Sequence, residues 1–189
     1  KDQWKKNGSE AATMGTAMHM MFEFYYNNIN QDQIDKHKDT SEYKYFMNFV
    51  NDHQELVPYR TEWNVYHEDF KIAGSIDMTF INDDGTISIY DWKRCKNIKK
   101  DNRFQSSITP CIDHLPDTNY WHYSLQLNTY KYMLEKNYGE KVVGMYLVCL
   151  HPNNQNKSYQ RFKVSHLKQE IEDLMNLRKK MVENTPSSL

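Results

Sequence analysis

Apolar and polar positions alternate on both sides of a short polar break in the middle of the chain. Gly74-Ser75-Ile76-Asp77-Met78-Thr79-Phe80-Ile81 and Thr86-Ile87-Ser88-Ile89-Tyr90-Asp91-Trp92-Lys93 flank Asn82-Asp83-Asp84-Gly85. Period-two runs rich in β-branched and aromatic residues around an Asn/Asp/Gly break predict a β-hairpin. Asp84 and Gly85 are expected to supply the positive φ values of its turn. Alternation places Ile87, Ile89, Asp91 and Lys93 on one face and Ser88, Tyr90 and Trp92 on the other. On the first arm, Asp77 falls with Ser75 and Thr79, opposite Ile76, Met78 and Phe80. Antiparallel pairing then brings Asp77 near Asp91, with Lys93 one pleat further along.

Helical spacing governs much of the rest. Residues 10 to about 30 carry Ala11, Ala12, Met14, Met18, Met21, Phe22 and Tyr25 at that spacing, with Ser9 as the expected N-cap. Residues 31–40 read as a polar turn. A second helix is expected from Ser41 to about Leu56, with Tyr45, Phe46, Phe49 and Val50 inward and Pro58 ending it. Thr61 to Glu68 alternates as a strand, with Glu62 on the face of Asn64 and Tyr66. A third helix covers 120–137 and closes near Gly139. Val142 to Leu150 is a continuous apolar run typical of a buried strand, and Ser158 to Val164 an edge strand. Ser165 is expected to cap a last helix that turns Leu167, Ile171, Leu174, Leu177 and Met181 inward. The tail from Thr185 to Ser188 reads as frayed. The fold class is α/β, a central mixed β-sheet flanked by helices.

A chain of 189 residues suits a single domain, with its core over about 10–184. Its hydrophobic content of 39% is low, but 14% aromatic residues make up core volume. A formal net charge of −1 removes any whole-molecule electrostatic case for nucleic-acid binding. Local clustering restores one: Arg94, Lys96, Lys99, Lys100 and Arg103 follow Lys93, opposed by Asp101 alone, and open an aperiodic loop over about 94–119 that reads as basic and mobile. Such runs are also common as plain solvated surface. Three scattered cysteines, Cys95, Cys111 and Cys149, form no Cys-x-x-Cys pair. That pattern suggests an intracellular, reducing compartment. No apolar run is long enough to span a bilayer, and no secretory signal is read; the chain begins at Lys1 without Met.

The chemistry concentrates at the hairpin. Two carboxylates and an amine at the ends of apolar strands cost several kcal/mol each if buried alone. A divalent cation between the carboxylates removes that cost. Two further pairs share a helix face at i, i+4: His19 with Glu23, and Gln126 with Tyr130. Taken separately, Asp-x-Lys is equally a solvated strand end, and His19–Glu23 a polar helix edge.

Taken in order, Gly15-Thr16-x-x-His19 with Glu23, Gly74-Ser75-Ile76-Asp77, Asp91-Trp92-Lys93 and Gln126-x-x-x-Tyr130 resemble the RecB-like branch of the PD-(D/E)XK nuclease superfamily. That branch includes recombination helicase-nuclease domains and the mitochondrial genome maintenance exonuclease. The resemblance covers about residues 10–150, and Ile76 departs from the proline of the superfamily's name. It implies metal ligands at Asp77, Asp91, the Trp92 carbonyl and His19. It implies that Lys93 orients or deprotonates the attacking water, and that Gln126 and Tyr130 support the site and contact the substrate strand. Glu23 and Glu62 become weaker candidates, as supporting groups or an additional ligand. The implied activity is divalent-metal-dependent hydrolysis of DNA phosphodiesters leaving a 5′-phosphate. It is expected of an exonuclease acting on single strands or ends in replication, repair or recombination, fused to or working with a helicase. The alternative is a non-catalytic nucleic-acid-binding module that keeps the fold. Mg²⁺ or Mn²⁺ is the expected cofactor; cluster-bearing relatives need four cysteines, and with three here and none after Cys149 no iron–sulfur cluster is expected. Lys93, near a cation and partly desolvated, is expected to have a depressed pKa.

Overall fold

The computed structural model describes residues 2–184, and their side chains from residue 12 onward. The expected frayed tail at 185–188 lies outside the described residues. Among them, five strands form one sheet in the order β1-β2-β3-β4-β5. The strands are β1 Val57–His67, β2 Ile72–Ile81, β3 Ile87–Lys93, β4 Val142–Cys149 and β5 Gln160–Lys163. β3 and β4 run parallel and the other neighbours antiparallel, so the sheet is mixed. A parallel pair needs a long crossover; here it contains the fourth helix along the chain, α4, which spans Asn119–Asn137.

The hairpin forms as expected from the alternation, with Ile81 opposite Ile87. Its turn closes when Gly85 N–H donates to Asn82 O at 2.9 Å and Asn82 N–H to Thr86 O at 2.8 Å. Gly85 carries the positive φ, +77°. Asp84 does not join it in the left-handed region; its carboxylate accepts the Thr86 N–H and hydroxyl at 3.0 and 2.6 Å instead.

The two sheet faces bury separate cores. Helices α1 (Asp2–Asn27) and α3 (Ser41–Asp52) cover one. There Met18, Phe22, Phe46 and Phe49 pack on Met78, Phe80, Tyr90 and Trp92, with the Phe22 and Phe46 rings stacked at 4.0 Å. α4 covers the other, seating Leu127, Met133 and Leu134 on Ile76, Ile87, Ile89 and Leu147. Covered on both sides, β3 is buried from Ile87 to Trp92. The last helix, α5 (Lys168–Glu183), adds a smaller cluster in which Leu167, Ile171 and Met175 meet Phe70.

Several element boundaries differ from the sequence reading. α1 starts at Asp2, so Ser9 lies inside the helix rather than at its cap. Residues Gln31–His37 form a helix, α2, where a turn was expected; its single buried residue, Ile34, leaves no periodicity to read. α3 ends at Asp52, and Pro58 belongs to β1, an edge strand that tolerates a missing N–H. Ser165 does not cap α5: Leu167 holds that position with no side-chain cap of its own, and its N–H donates to Asn128 Oδ1 at 2.9 Å. Leu177 and Met181 are 37% and 56% exposed rather than inward.

Phe46 is fully buried and stacked, so Phe46→Ala is expected to lower stability by about 3–5 kcal/mol. Chemical denaturation checks this as a fall in midpoint at unchanged slope.

Candidate active site

The site lies where the β1–β2 ladder opens. Thr61 pairs with Met78 and Trp63 with Ile76, but Glu62 and Asp77 between them are not paired. Glu62 sits at φ 42°, a left-handed conformation that costs a non-glycine residue about 1–3 kcal/mol. Side-chain alternation breaks at the same point. Ile76 enters the core under α4, whereas Met78 and Phe80 enter the core under α1 and α3. The expectation that these three share a face therefore fails at Asp77. Freed from the ladder, Asp77 accepts the Trp92 N–H at 2.8 Å through Oδ2 and so ties β2 to the end of β3.

His19 reaches the same place from α1. Its Nε2 is 2.9 Å from the Trp92 carbonyl, and its Nδ1 is 3.5 Å from Asp77 Oδ1 and 3.8 Å from Glu62 Oε1. Ser75 holds Glu62 in place by donating its hydroxyl to Oε2 at 2.9 Å. Among the described residues, His19, Glu62 and Asp77 form the group whose donor atoms converge within 4.8 Å. Asp91 stands beside this group but outside it. Its buried Oδ2 is 2.6 Å from Lys93 Nζ, yet that oxygen has no hydrogen bond of acceptable geometry. Lys93 Nζ also lies 4.7 Å from the centre of the Tyr123 ring, a neighbour the sequence reading did not foresee.

These groups perturb one another strongly. Burial, reinforced by the Asp91 charge, pushes Asp77 up to about 7. Burial raises Asp91 as well, with Lys93 opposing it. Burial alone would lower His19, but the nearby Glu62 carboxylate and the charges of Asp77 and Asp91 outweigh that and raise it. Lys93 is raised, not depressed as the sequence suggested. Its burial is outweighed by the Asp91 carboxylate at contact distance. Three carboxylates thus share one ammonium and one imidazole, which leaves the cluster short of positive charge. Carboxylate oxygens, a nearby carbonyl and an imidazole make a donor set that fits a hard divalent cation, with the imidazole favouring Mn²⁺ tolerance.

Other predicted residues fall into place around this cluster. Glu23 lines a cavity of about 620 Å³ together with Thr16, His19 and Glu62. Gln126 donates to the Tyr130 hydroxyl at 2.9 Å. A Cβ on Gly74 would fall 2.6 Å from Tyr130 Cε1, so only glycine lets that ring lie against β2. The basic run is less uniform than its sequence implied. Arg94 Nε is bound to the buried Glu42 at 2.7 Å, and Lys100 lies 4.7 Å over the Tyr120 ring. Lys96, Lys99 and Arg103 are exposed. The loop they begin is hydrogen-bonded within itself, through a Ser106–Pro116 bridge and a 3-10 turn at Pro110–Ile112. It carries Phe104 and Ile108 at 95% and 98% exposure, which no periodicity marks.

The raised Asp77 has a consequence for stability. The folded chain holds that proton more tightly than the unfolded chain, so the contribution of Asp77 to stability falls as pH rises from about 4 to about 7. In chelator near pH 8, Asp77→Asn is therefore expected to melt above the parent by roughly 5 °C, with no gain near pH 4. Added Mn²⁺ should raise the parent's Tm and not that of the variant; thermal melts at the two pH values check both.

The sequence matches the PD-(D/E)XK nuclease superfamily over residues 3–187. Among curated proteins, none matches the chain. In fold, the chain is similar to a crystal structure of a proposed exonuclease from Eubacterium rectale. That alignment has a TM-score of 0.52 and 11% identity, and covers 89% of this chain and 65% of the other. The chain thus spans about two thirds of that relative's length. A crystal structure of the protein SSO0001 aligns at a TM-score of 0.34 and 13% identity over 75% of this chain and 57% of the other, too distant to add to the argument. With the match running nearly end to end and the mixed sheet in place beneath the carboxylates, this chain belongs to the PD-(D/E)XK nuclease superfamily.

Proposed function

We propose that the chain is a divalent-metal-dependent deoxyribonuclease, an exonuclease acting on single-stranded DNA or strand ends in replication, repair or recombination. The observation that carries this reading is the convergence of His19, Glu62 and Asp77 beside the Asp91–Lys93 ion pair. His19, Asp77, Asp91 and the Trp92 carbonyl would hold Mg²⁺ or Mn²⁺, with Glu62 as a further ligand and Glu23 behind them. Such an ion supplies an activated water and polarises the scissile phosphate when bound.

The chain's own residues do the rest. Lys93, its pKa raised, is an ammonium at neutral pH. It orients the attacking water and offsets the charge that grows on the phosphate. Asp91 and the Tyr123 ring fix where that ammonium points. The Gln126–Tyr130 pair supports the substrate strand from α4. Lys96, Lys99 and Arg103 give exposed cations for phosphates. Phe104 gives an exposed ring on which an unpaired base stacks, and Ile108 adds exposed apolar surface. Unpaired DNA is what a helicase partner would deliver.

Asp91→Ala and Lys93→Ala are each expected to cut the rate at least about 100-fold on labelled linear single strands in Mg²⁺ or Mn²⁺. Closed circles should stay intact, and DNA binding measured by fluorescence anisotropy should persist. Parent protein that binds DNA and metal but cuts neither substrate would support the non-catalytic binding module instead. Phe104→Ala is expected to weaken single-strand binding roughly tenfold with kcat little changed, as the loss of one stacking platform worth about 1–3 kcal/mol requires.

A further inference from the structure

Two of the chain's three free cysteines meet at the end of the strands that carry Asp91 and Lys93. Cys95 Sγ and Cys149 Sγ are 3.5 Å apart, whereas Cys111 stands elsewhere, in the loop's 3-10 turn. Cys149 is the last residue of β4, 1% exposed, and lies opposite Lys93 in the parallel pairing. Its place is fixed by the sheet and by Asn154, whose side chain donates to the Cys149 carbonyl at 3.0 Å. Cys95 lies two residues beyond β3, partly exposed, at the root of the basic loop.

We propose that Cys95 and Cys149 are a redox modification site, a dithiol that a peroxide converts into a disulfide that reversibly switches the nuclease off. This rests on the nuclease reading for its effect but not for its chemistry. The sulfur of Cys95, the more exposed of the two residues, attacks the peroxide, breaking the O–O bond and forming a sulfenic acid with release of water. The Cys149 sulfur then attacks that sulfur, the S–O bond breaks, and a second water leaves with the remaining proton. Two thiols lose two electrons and two protons, and one hydrogen peroxide becomes two waters.

The geometry explains why closure disturbs the site. A disulfide needs its sulfurs about 2.05 Å apart, so they must approach by roughly 1.5 Å. Cys149 is held within the sheet, so Cys95 moves. The backbone just before it is anchored where Leu150 N–H donates to the Lys93 carbonyl at 2.9 Å, so closure strains Arg94 and pulls on Lys93 through that anchor. Arg94 is clamped to Glu42 at 2.7 Å, and the Lys93 amine is held 2.6 Å from Asp91. Misplacing a reacting group by about 1 Å can cost roughly 100-fold in rate.

The test exposes the full chain to hydrogen peroxide in chelator, removes the peroxide, and alkylates the remaining thiols before mass analysis. Cys111 should take the alkyl group while Cys95 and Cys149 do not, and the peptide map should show them joined. Cleavage of linear single-stranded DNA in Mg²⁺ should fall at least tenfold and return on treatment with dithiothreitol. Cys95→Ser should cut as well as the parent and resist peroxide. Alkylation of both Cys95 and Cys149, a bridge to Cys111 or to another chain, or full activity in the bridged protein would each overturn the proposal. So would peroxide inactivation of Cys95→Ser. Alkylation is read without DNA, so reduced protein that cuts nothing would sink the nuclease reading and the switch together, while the disulfide itself is decided separately.

Discussion

Three carboxylates, Glu62, Asp77 and Asp91, are held against one ammonium and one imidazole at the edge of a hydrophobic sheet. Everything else in the structure answers to that shortage of positive charge. Removing a carboxylate from water is tolerated only where protons, donors or cations replace the lost solvation. Here protonation of Asp77, the Trp92 and Ser75 donors and the His19 ring each supply part of the replacement. A cation would supply the remainder, so metal affinity and the protein's own stability draw on the same carboxylates.

Trp92 shows how packing and chemistry are joined. Its ring is buried edge-on against Phe22, Phe46 and Phe49, which fixes the backbone on either side. Its N–H then aims at Asp77, and its carbonyl at His19. One residue seated in the core thus sets the positions of two site groups that come from other elements. His19 benefits in the same way: it lies on α1 between Met18 and Met21, both buried in that core.

The sheet and most helices were readable because their cores repeat at a period of two or near four residues. Asp77, Asp91, Lys93 and His19 stood out because their order along the chain resembles a family pattern, and the structure brings their side chains together. What escaped has a physical reason in each case. Glu62 has a φ of 42° between the paired residues Thr61 and Trp63, and glutamate does not advertise a left-handed conformation. With it went the alternation at Ile76, and Glu62 stood as a minor candidate although its oxygen lies in the convergent group. α2 carries too few apolar residues to show a face. The direction of the Lys93 shift was misjudged because desolvation and a nearby metal were weighed without the Asp91 contact.

β3 carries Asp91 and Trp92 and has no solvent-exposed face between Ile87 and Trp92. Segments open locally in order of how little they bury, so this strand is among the last to breathe. The floor of the cleft is therefore its least mobile part. On the function proposed above, admission and release fall to the walls of that cleft, the α1 turn around Gly15 and Thr16 and the span after Arg94. Substitutions there can retune which strands are accepted while leaving the charge arrangement below untouched.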